Sequence, residues 1–211
     1  MAPLCICGGI LRLTRGKLVT DEKKPPRRPR SDGQRNRENL LTVARTAFTA
    51  GEVDIALDEI ARRAGVGIGT LYRHFPNRDA LIEAVYRIEL DRLAEAVPAL
   101  AAQHPPVEAL RAWMRLFVDY IAAKQMIAPA LNGLVGGTSA LYAHSSTVLQ
   151  NAIDQLMTTA VASGDMRNDV EPIDLLRALA GVSNYSAGPG WENSAKRLVD
   201  ILIAGSRTSA S

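Results

Sequence analysis

Residues 57–86, LDEIARRAGVGIGTLYRHFPNRDALIEAVY, constrain the fold of this 211-residue chain more than any other stretch. The first part spaces its apolar residues three and four positions apart, which is typical of one buried face on a short α-helix. Gly65 follows at once and accepts the left-handed backbone that ends a helix in a tight turn. A second apolar pattern runs from Ile68 to Phe75, and Pro76 then prevents the helix from continuing. The stretch therefore predicts two short helices joined by a glycine turn, and a third helix after the proline.

The second short helix is predicted to have one buried and one polar face. The predicted buried stripe consists of Ile68, Leu71, Tyr72 and Phe75. The other face carries Gly69, Thr70, Arg73 and His74. Small, hydroxylated and basic side chains suit close approach to phosphates and base edges, and a helix-turn-helix presents its second helix to a DNA groove. Paired amphipathic helices also occur in proteins that never touch DNA, so the pattern alone leaves both interpretations open.

The same stretch resembles the DNA-binding domain of the TetR family of transcriptional regulators. The positions that carry the resemblance are Ile60, Ala61, Ala64, Gly65, Val66, Gly69, Thr70, Leu71, Tyr72, His74, Phe75, Asp79, Ala80 and Leu81. The resemblance implies an all-α fold, in which an N-terminal three-helix helix-turn-helix domain is followed by a larger helical domain for ligand binding and dimerisation. One departure is Ala56, where the family usually has a Ser or Thr that caps the helix and touches phosphate. Alanine is about 1 kcal/mol less favourable as a cap, and Asp54 or Asp58 could replace the cap but not the phosphate contact.

The resemblance also implies which residues contact DNA. Thr70, Tyr72 and His74 are expected to contact phosphates, whereas Ile68, Gly69 and Arg73 face base edges. Three more basic residues are expected near the DNA backbone: Arg35, Arg37 and Arg78.

Three segments are predicted along the chain. Residues 1–33 form a disordered basic extension, residues 34–76 the helix-turn-helix domain, and residues 77–211 the regulatory and dimerisation domain. The stretch 23–30, KKPPRRPR, fits both a solvated tail and an arm that contacts phosphates or the minor groove. Helices are expected over about 34–50, 77–97, 107–124, 138–163, 171–187 and 191–204, with Pro98 as a break.

Charge is unevenly distributed, which supports a nucleic-acid partner. Residues 1–80 hold 15 of the 25 Lys and Arg but only 9 of the 22 Asp and Glu. A basic N-terminal part and a mildly acidic remainder fit a DNA-binding head on a body with another task. The two cysteines, Cys5 and Cys7, match no common zinc spacing, so we expect no metal and no cofactor. No segment suggests a signal peptide or a membrane span, so we expect a cytoplasmic protein.

The two helices nearest the C-terminus carry unusually wide apolar faces. Their apolar residues are Ile173, Leu175, Leu176, Leu179, Ala180, Val182, Ala195, Leu198, Val199, Ile201 and Leu202. A helix that is apolar over most of its circumference is covered on two sides. In the family these helices pair with their copies, which predicts a homodimer; an intramolecular core is the alternative.

A small-molecule effector is implied by the resemblance but not identified. The candidate ligand-binding residues are Trp113, Met114, Phe117, Tyr120, Met126 and Tyr142. Aromatic and methionine side chains in a helical body can line an adaptable pocket, although each also fits ordinary core packing.

These patterns together predict a dimeric, ligand-responsive repressor that binds a double-stranded DNA operator. A DNA-architectural protein without a ligand is one alternative, although a large body would be superfluous for it. A helical enzyme is another, but the chain contains no HExxH pair, phosphate loop or GxSxG elbow.

Overall fold

The computed structural model describes residues 30–185 and 190–208. This part of the chain forms eight α-helices: α1 (Arg30–Thr49), α2 (Leu57–Arg63), α3 (Ile68–His74), α4 (Arg78–Gln103), α5 (Pro106–Asn132), α6 (Ser139–Ala162), α7 (Pro172–Tyr185) and α8 (Trp191–Ser206). Within the same residues, β-structure is limited to one isolated bridge between Met166 and Arg207. The predicted all-α class is confirmed.

The head, α1–α3, packs on the body, α4–α8, through a shared apolar core. Leu40, Phe48, Ile60 and Leu71 are fully buried inside the head. The same cluster continues into residues of α4, the end of α5 and the start of α6: Leu81, Ile82, Val85, Tyr86, Ile127, Ala130, Leu131, Leu134 and Leu141. Helix α1 of the head is in direct contact with α4 and α5, and α2 and α3 pack on α1.

A second apolar cluster forms the core of the body. It lies between the C-terminal half of α4 and helices α5–α8. Trp113 is fully buried there, and its indole nitrogen donates a hydrogen bond to the Leu93 carbonyl at 2.8 Å. Asp200 of α8 accepts from both Arg111 and Arg115 of α5, at 2.5 and 2.8 Å. Helix α5 is thus the central element that contacts both the head and the two C-terminal helices.

The structure corrects three predicted helix boundaries, which are the ends of α4 and α5 and the start of α1. Helix α4 continues through Pro98 to Gln103, although an internal proline costs about 3 kcal/mol. Pro98 is exposed, whereas Leu93 and Val97 beside it are buried against the body, so packing on α5 outweighs the local penalty. Helix α5 likewise runs unbroken to Asn132.

The first helix also begins earlier than predicted. Helix α1 starts at Arg30, so residues 30–33 are helical rather than part of a disordered extension. Residues 1–29, with Cys5, Cys7 and most of the basic stretch, lie outside the described residues. Among the described helices, none combines the length and apolar character that crossing a membrane requires.

Candidate nucleic-acid interface

The turn between α2 and α3 has the geometry that its glycine predicts. Gly65 has φ +69°, in the left-handed region. Its amide donates to the Arg62 carbonyl at 3.1 Å, and the Val66 amide donates to the Ala61 carbonyl at 3.0 Å. This pair of bonds is the Schellman motif, which satisfies carbonyls at the end of a helix. It fixes the direction in which the chain enters α3.

Helix α3 buries a narrower stripe than the sequence predicts. Leu71 and Phe75 are buried in the head, but Ile68 is 42% exposed and Tyr72 50% exposed. The prediction that all four are buried is therefore wrong for Ile68 and Tyr72. A helix of seven residues packs on α1 and α2 along a single i, i+4 row, and the neighbouring row is left at the surface.

The outer surface of α3 displays the predicted contact residues together. Gly69 and Arg73 are exposed beside Ile68 and Tyr72. Thr70 and His74 lie at the edge of this surface and are half-buried. The combination presents a cation, a phenol and an apolar side chain on one side of a helix, as base and phosphate contacts require.

Arg35 and Arg37 of α1 lie beside α3, but in different environments. Arg35 lines a shallow depression together with Gly67 and Thr70, at the start of α3. The guanidinium of Arg37 lies 5.3 Å from the ring centroid of Phe75, a cation–π contact. Arg35 is thus exposed next to the α3 surface, whereas Arg37 packs against Phe75 at the C-terminal end of α3.

Arg78 occupies a place that the sequence does not predict. Its guanidinium donates to the Ile55 carbonyl at 2.6 Å and also to the Val53 carbonyl, and it lies 5.9 Å from the ring centroid of Phe48. These carbonyls belong to the segment that leads into α2. Two of its N–H groups are therefore bound within the head, where Arg78 supports this segment. The phosphate contact expected of Arg78 stays a prediction.

The missing cap of α2 is partly replaced by Asp58. Ala56 occupies the N-cap position and makes no side-chain hydrogen bond, as predicted. The Asp58 carboxylate accepts from the Glu59 amide at 2.9 Å, which satisfies one free N–H of the first turn. By contrast, Asn77 caps α4 by accepting from the Ala80 amide at 2.8 Å.

Two arginines of α2 are ion-paired with Glu59 on the same helix and with Glu52 before it. Glu59 accepts from Arg62 at 2.6 Å and from Arg63 at 2.7 Å, and Glu52 accepts from Arg63 at 2.8 Å. The hydrogen bonds from Arg62 and Arg63 lower the pKa of Glu59 to about 2, and the bond from Arg63 lowers the pKa of Glu52. Acidic partners thus neutralise these two cations at neutral pH.

Comparison with known proteins decides the family. Residues 40–85 match the profile described as bacterial regulatory proteins of the tetR family, and residues 105–208 match the C-terminal domain of SbtR-like transcriptional regulators. The crystal structure of a TetR transcriptional regulator from Streptomyces coelicolor is similar at 45% identity and a TM-score of 0.73, covering 82% of this chain and 99% of that chain. The chain belongs to the TetR family of DNA-binding transcriptional regulators.

Two further relatives agree. A TetR regulator structure from Mycobacterium vanbaalenii is 33% identical with a TM-score of 0.68, covering 85% of this chain and 99% of that chain. A helix-turn-helix transcriptional regulator from Staphylococcus aureus is 28% identical over 130 residues, which are 60% of this chain and 65% of that protein. The match thus spans slightly less than two thirds of the curated relative. TetR-family members are transcription factors, so the predicted family, fold and non-enzymatic class are confirmed.

This TetR-family chain has a cavity in its body, between α5, α6 and α7. The cavity has a volume of about 270 Å³. Of the candidate ligand residues, Phe117, Tyr120 and Tyr142 line it. Trp113 and Met114 do not, because they are fully buried in the body core, and Met126 is 52% exposed at the surface. The structure thus brings half of the predicted ligand residues together.

The cavity wall is hydrogen-bonded to α4, the helix that leaves the head. The Tyr86 hydroxyl of α4 lies 2.9 Å from the Tyr120 hydroxyl and 2.6 Å from the Ser145 hydroxyl, and both partners line the cavity. Ser145 in turn donates to the Leu141 carbonyl at 2.7 Å. Burial, and then the bond to Tyr86, raise the pKa of Tyr120, so it stays a neutral phenol. Sequence reasoning missed Ser145 because a serine within a helix carries no signal of its own.

Proposed function

We propose that the protein is a dimeric repressor that binds a double-stranded DNA operator and releases it when a small molecule enters the cavity between α5, α6 and α7. The observation that carries this proposal is the hydrogen-bonded contact of Tyr86 with two residues of the cavity wall. A ligand that displaces Tyr120 or Ser145 acts directly on α4, and α4 begins at the DNA-binding head.

In this proposal α3 enters the major groove. Ile68, Gly69 and Arg73 face the base edges, and the exposure of all three supports the assignment. Phosphates are contacted by the residues around this row: Thr70, Tyr72, His74 and Arg35. Arg37 is assigned to packing under α3, where its cation lies over Phe75. In this proposal its exposed part lies near the DNA backbone.

Two structural connections between the cavity and the head support a ligand response. Lys124 and Ala128 of α5 line the cavity, whereas Ile127 and Leu131, on the adjoining side of the same helix, are buried in the core shared with the head. After α5, the Val135 amide donates to the Asp79 carboxylate in the first turn of α4, at 3.0 Å. In this proposal a shift of α5 on ligand binding is passed to the core that α5 shares with the head. It is also passed, through Val135 and Asp79, to the start of α4.

Dimerisation through α7 and α8 accounts for the apolar surface that the single chain leaves uncovered. Leu175, Leu179 and Val199 are buried within the chain, but Ile201 is 66% exposed. Gly181 and Ala204 are also exposed on these helices, and residues as small as these permit close approach of a second copy. Two heads are needed because a palindromic operator presents half-sites one helical turn apart.

The first test is selection of bound sequences from random duplex DNA with the purified full chain, followed by a metabolite screen for release of the selected operator. We expect enrichment of a palindromic site and release by at least one compound. Enrichment of no sequence would exclude an operator-binding repressor. Binding of a defined site that no compound releases would favour the architectural alternative.

A matched pair of variants then places the ligand. Ser146 lines the cavity and Thr147, the next residue, is exposed outside it. Ser146→Trp should fill the cavity and prevent release by the compound found in the screen, while operator affinity is kept. Thr147→Trp should respond like the wild type. Equal release from both variants would place the ligand elsewhere.

A further inference from the structure

Lys124 places a positive charge inside an otherwise neutral cavity. The side chain is half-buried in the cavity wall, and its amine lies 4.1 Å from the ring centroid of Tyr142. Burial lowers the pKa of this amine, because removing a cation from water disfavours the charged form. The cation–π contact with Tyr142 offsets part of that penalty and fixes the position of the charge.

The cavity supplies no counter-ion for this lysine. None of the thirteen described residues that line it is acidic. Within residues 30–185 and 190–208, Lys124 forms no ion pair, whereas Lys196 on α8 pairs with Asp119 at 2.7 Å. A half-buried cation is stabilised most by a hydrogen-bonded anion, and here the free volume of the cavity is where that anion can lie.

The remaining walls determine what else the ligand carries. Phe117, Ile121 and Leu149 present apolar surface to the cavity. Tyr120, Tyr142 and Ser145 also line the cavity and add polar side chains to its wall. The volume of about 270 Å³ is just below the range of about 300–1,000 Å³ that is typical of drug-sized ligands. A cation at one side, apolar walls and a small volume together select a compact molecule with an acidic group and an apolar part.

We infer that the cavity binds a small organic acid, whose carboxylate pairs with Lys124 and whose apolar part packs against Phe117 and Leu149. The inference rests on the proposed function, since it names the chemical class of the effector. Inorganic phosphate would satisfy the lysine but leave the apolar walls exposed, so it should bind poorly.

The test uses matched acids and neutral amides as probes for the full chain. The pairs are benzoate and benzamide, phenylacetate and phenylacetamide, and indole-3-acetate and indole-3-acetamide. Isothermal titration calorimetry at neutral pH should show at least one acid binding tenfold or more tightly than its amide, a difference of about 1.4 kcal/mol. Lys124→Met should abolish this preference and leave binding of the amide unchanged.

Lys196→Met is the control, because it removes one positive charge of the chain outside the cavity and should keep the preference for the acid. Circular dichroism and thermal unfolding verify that each variant is folded. Equal affinity for acid and amide, a preference that survives in Lys124→Met, or no acid bound by the wild type would overturn the inference. Phosphate that binds as tightly as the best acid would also overturn it.

The outcome separates this inference from the proposed function. If neutral compounds bind in the cavity and release the operator independently of Lys124, the ligand-responsive repressor stands and only the organic acid is wrong. If no compound of any charge releases the operator, the proposed function itself fails.

Discussion

Arg78, at the start of α4, supports the segment that leads into α2. Its guanidinium bonds the carbonyls of Val53 and Ile55, which lie 25 and 23 positions earlier in the chain. These carbonyls precede the first turn of α2, where Ala56 provides no side-chain cap. The cation at the start of α4 therefore holds the segment that a capping side chain would otherwise help to order.

Arg78→Ala should lower the free energy of unfolding by about 1.5–3 kcal/mol, because hydrogen bonds to a charged group contribute that much when one partner is removed. Urea unfolding measures the change. Arg73→Ala is the control, since an exposed residue away from special contacts usually changes stability by no more than about 0.5 kcal/mol. Unchanged stability of Arg78→Ala would contradict the supporting role.

Arg73→Ala should instead weaken binding to the selected operator by about 1–3 kcal/mol, if Arg73 contacts a guanine with two hydrogen bonds. Sequence preference at one operator position should relax at the same time, and fluorescence anisotropy with operator variants measures both. A uniform loss across all sequences would make Arg73 a phosphate contact rather than a base contact.

Glu59 makes the stability of the head dependent on pH in the acidic range. Its pKa is lowered from 4.5 to about 2 by the hydrogen bonds from Arg62 and Arg63. A carboxyl whose folded pKa is depressed stabilises the fold above its unfolded pKa, and that contribution is lost as pH falls through the folded value. We therefore expect the urea midpoint to decrease between pH 4.5 and about 2, and Glu59→Gln to show a shallower decrease. Parallel curves for the two proteins would assign the acid sensitivity to other groups.

At the scale of single helices, α2 receives little stabilisation from its own residues. It has seven residues, and its N-cap is an alanine with φ −71° and ψ 148°, a backbone conformation that a capping serine also adopts. Helices α1 and α3 pack against it, and Asp58 satisfies one of its free amides. Tertiary packing therefore maintains a helix that would be marginal alone.

Ala56→Ser should raise the free energy of unfolding by about 0.5–1 kcal/mol, the lower part of the usual capping range, because Asp58 already bonds one amide. The new hydroxyl would also lie where relatives in the family touch phosphate, so operator affinity should rise. Its salt dependence should stay unchanged, because a neutral hydroxyl releases no counterion. Thermal unfolding and anisotropy at two salt concentrations measure these effects. Ala56→Val is the control, because valine is as poor an N-cap as alanine, and equal values for both variants would exclude the capping effect.

At the scale of the whole molecule, α5 connects the three proposed activities. Its central part lines the cavity, its C-terminal part packs in the core with the head, and its N-terminal half is ion-paired to α8 through Arg111 and Arg115. An effector, an operator and a second subunit would therefore all act on one helix. Because a packed core has few alternative arrangements, we expect a small displacement of α5 to be transmitted rather than absorbed.

Ile201→Asp should convert the protein to a monomer at micromolar concentration, because an aspartate on the exposed face of α8 would be buried without a partner in a dimer. Sedimentation velocity measures the mass, and operator affinity should fall more than tenfold because the second head is lost. Gln155→Asp on the exposed side of α6 is the control and should remain dimeric. A wild-type monomer, or an Ile201→Asp dimer, would contradict pairing through this face.

Local features of this protein were predictable because they depend on residues a few positions apart. The glycine turn at Gly65, the cap at Asn77 and the helical class follow from backbone preference and short-range periodicity, and the structure confirms each. The row of small and basic residues on α3 was recognisable for the same reason. Ile68 and Tyr72 were misplaced because periodicity shows that a helix is amphipathic but not how wide a face its neighbours cover.

Only the tertiary structure decided how distant groups meet. Pro98 stays helical because α5 packs along α4, Arg78 turns inward because two carbonyls from another segment accept its hydrogen bonds, and Tyr86 reaches Ser145 across 59 residues of sequence. The cavity exists because α5, α6 and α7 leave space between them, and no local pattern encodes such a space. By itself the sequence determined the helix-turn-helix and its family resemblance, whereas the connection from cavity to head depends on contacts that chain folding alone creates.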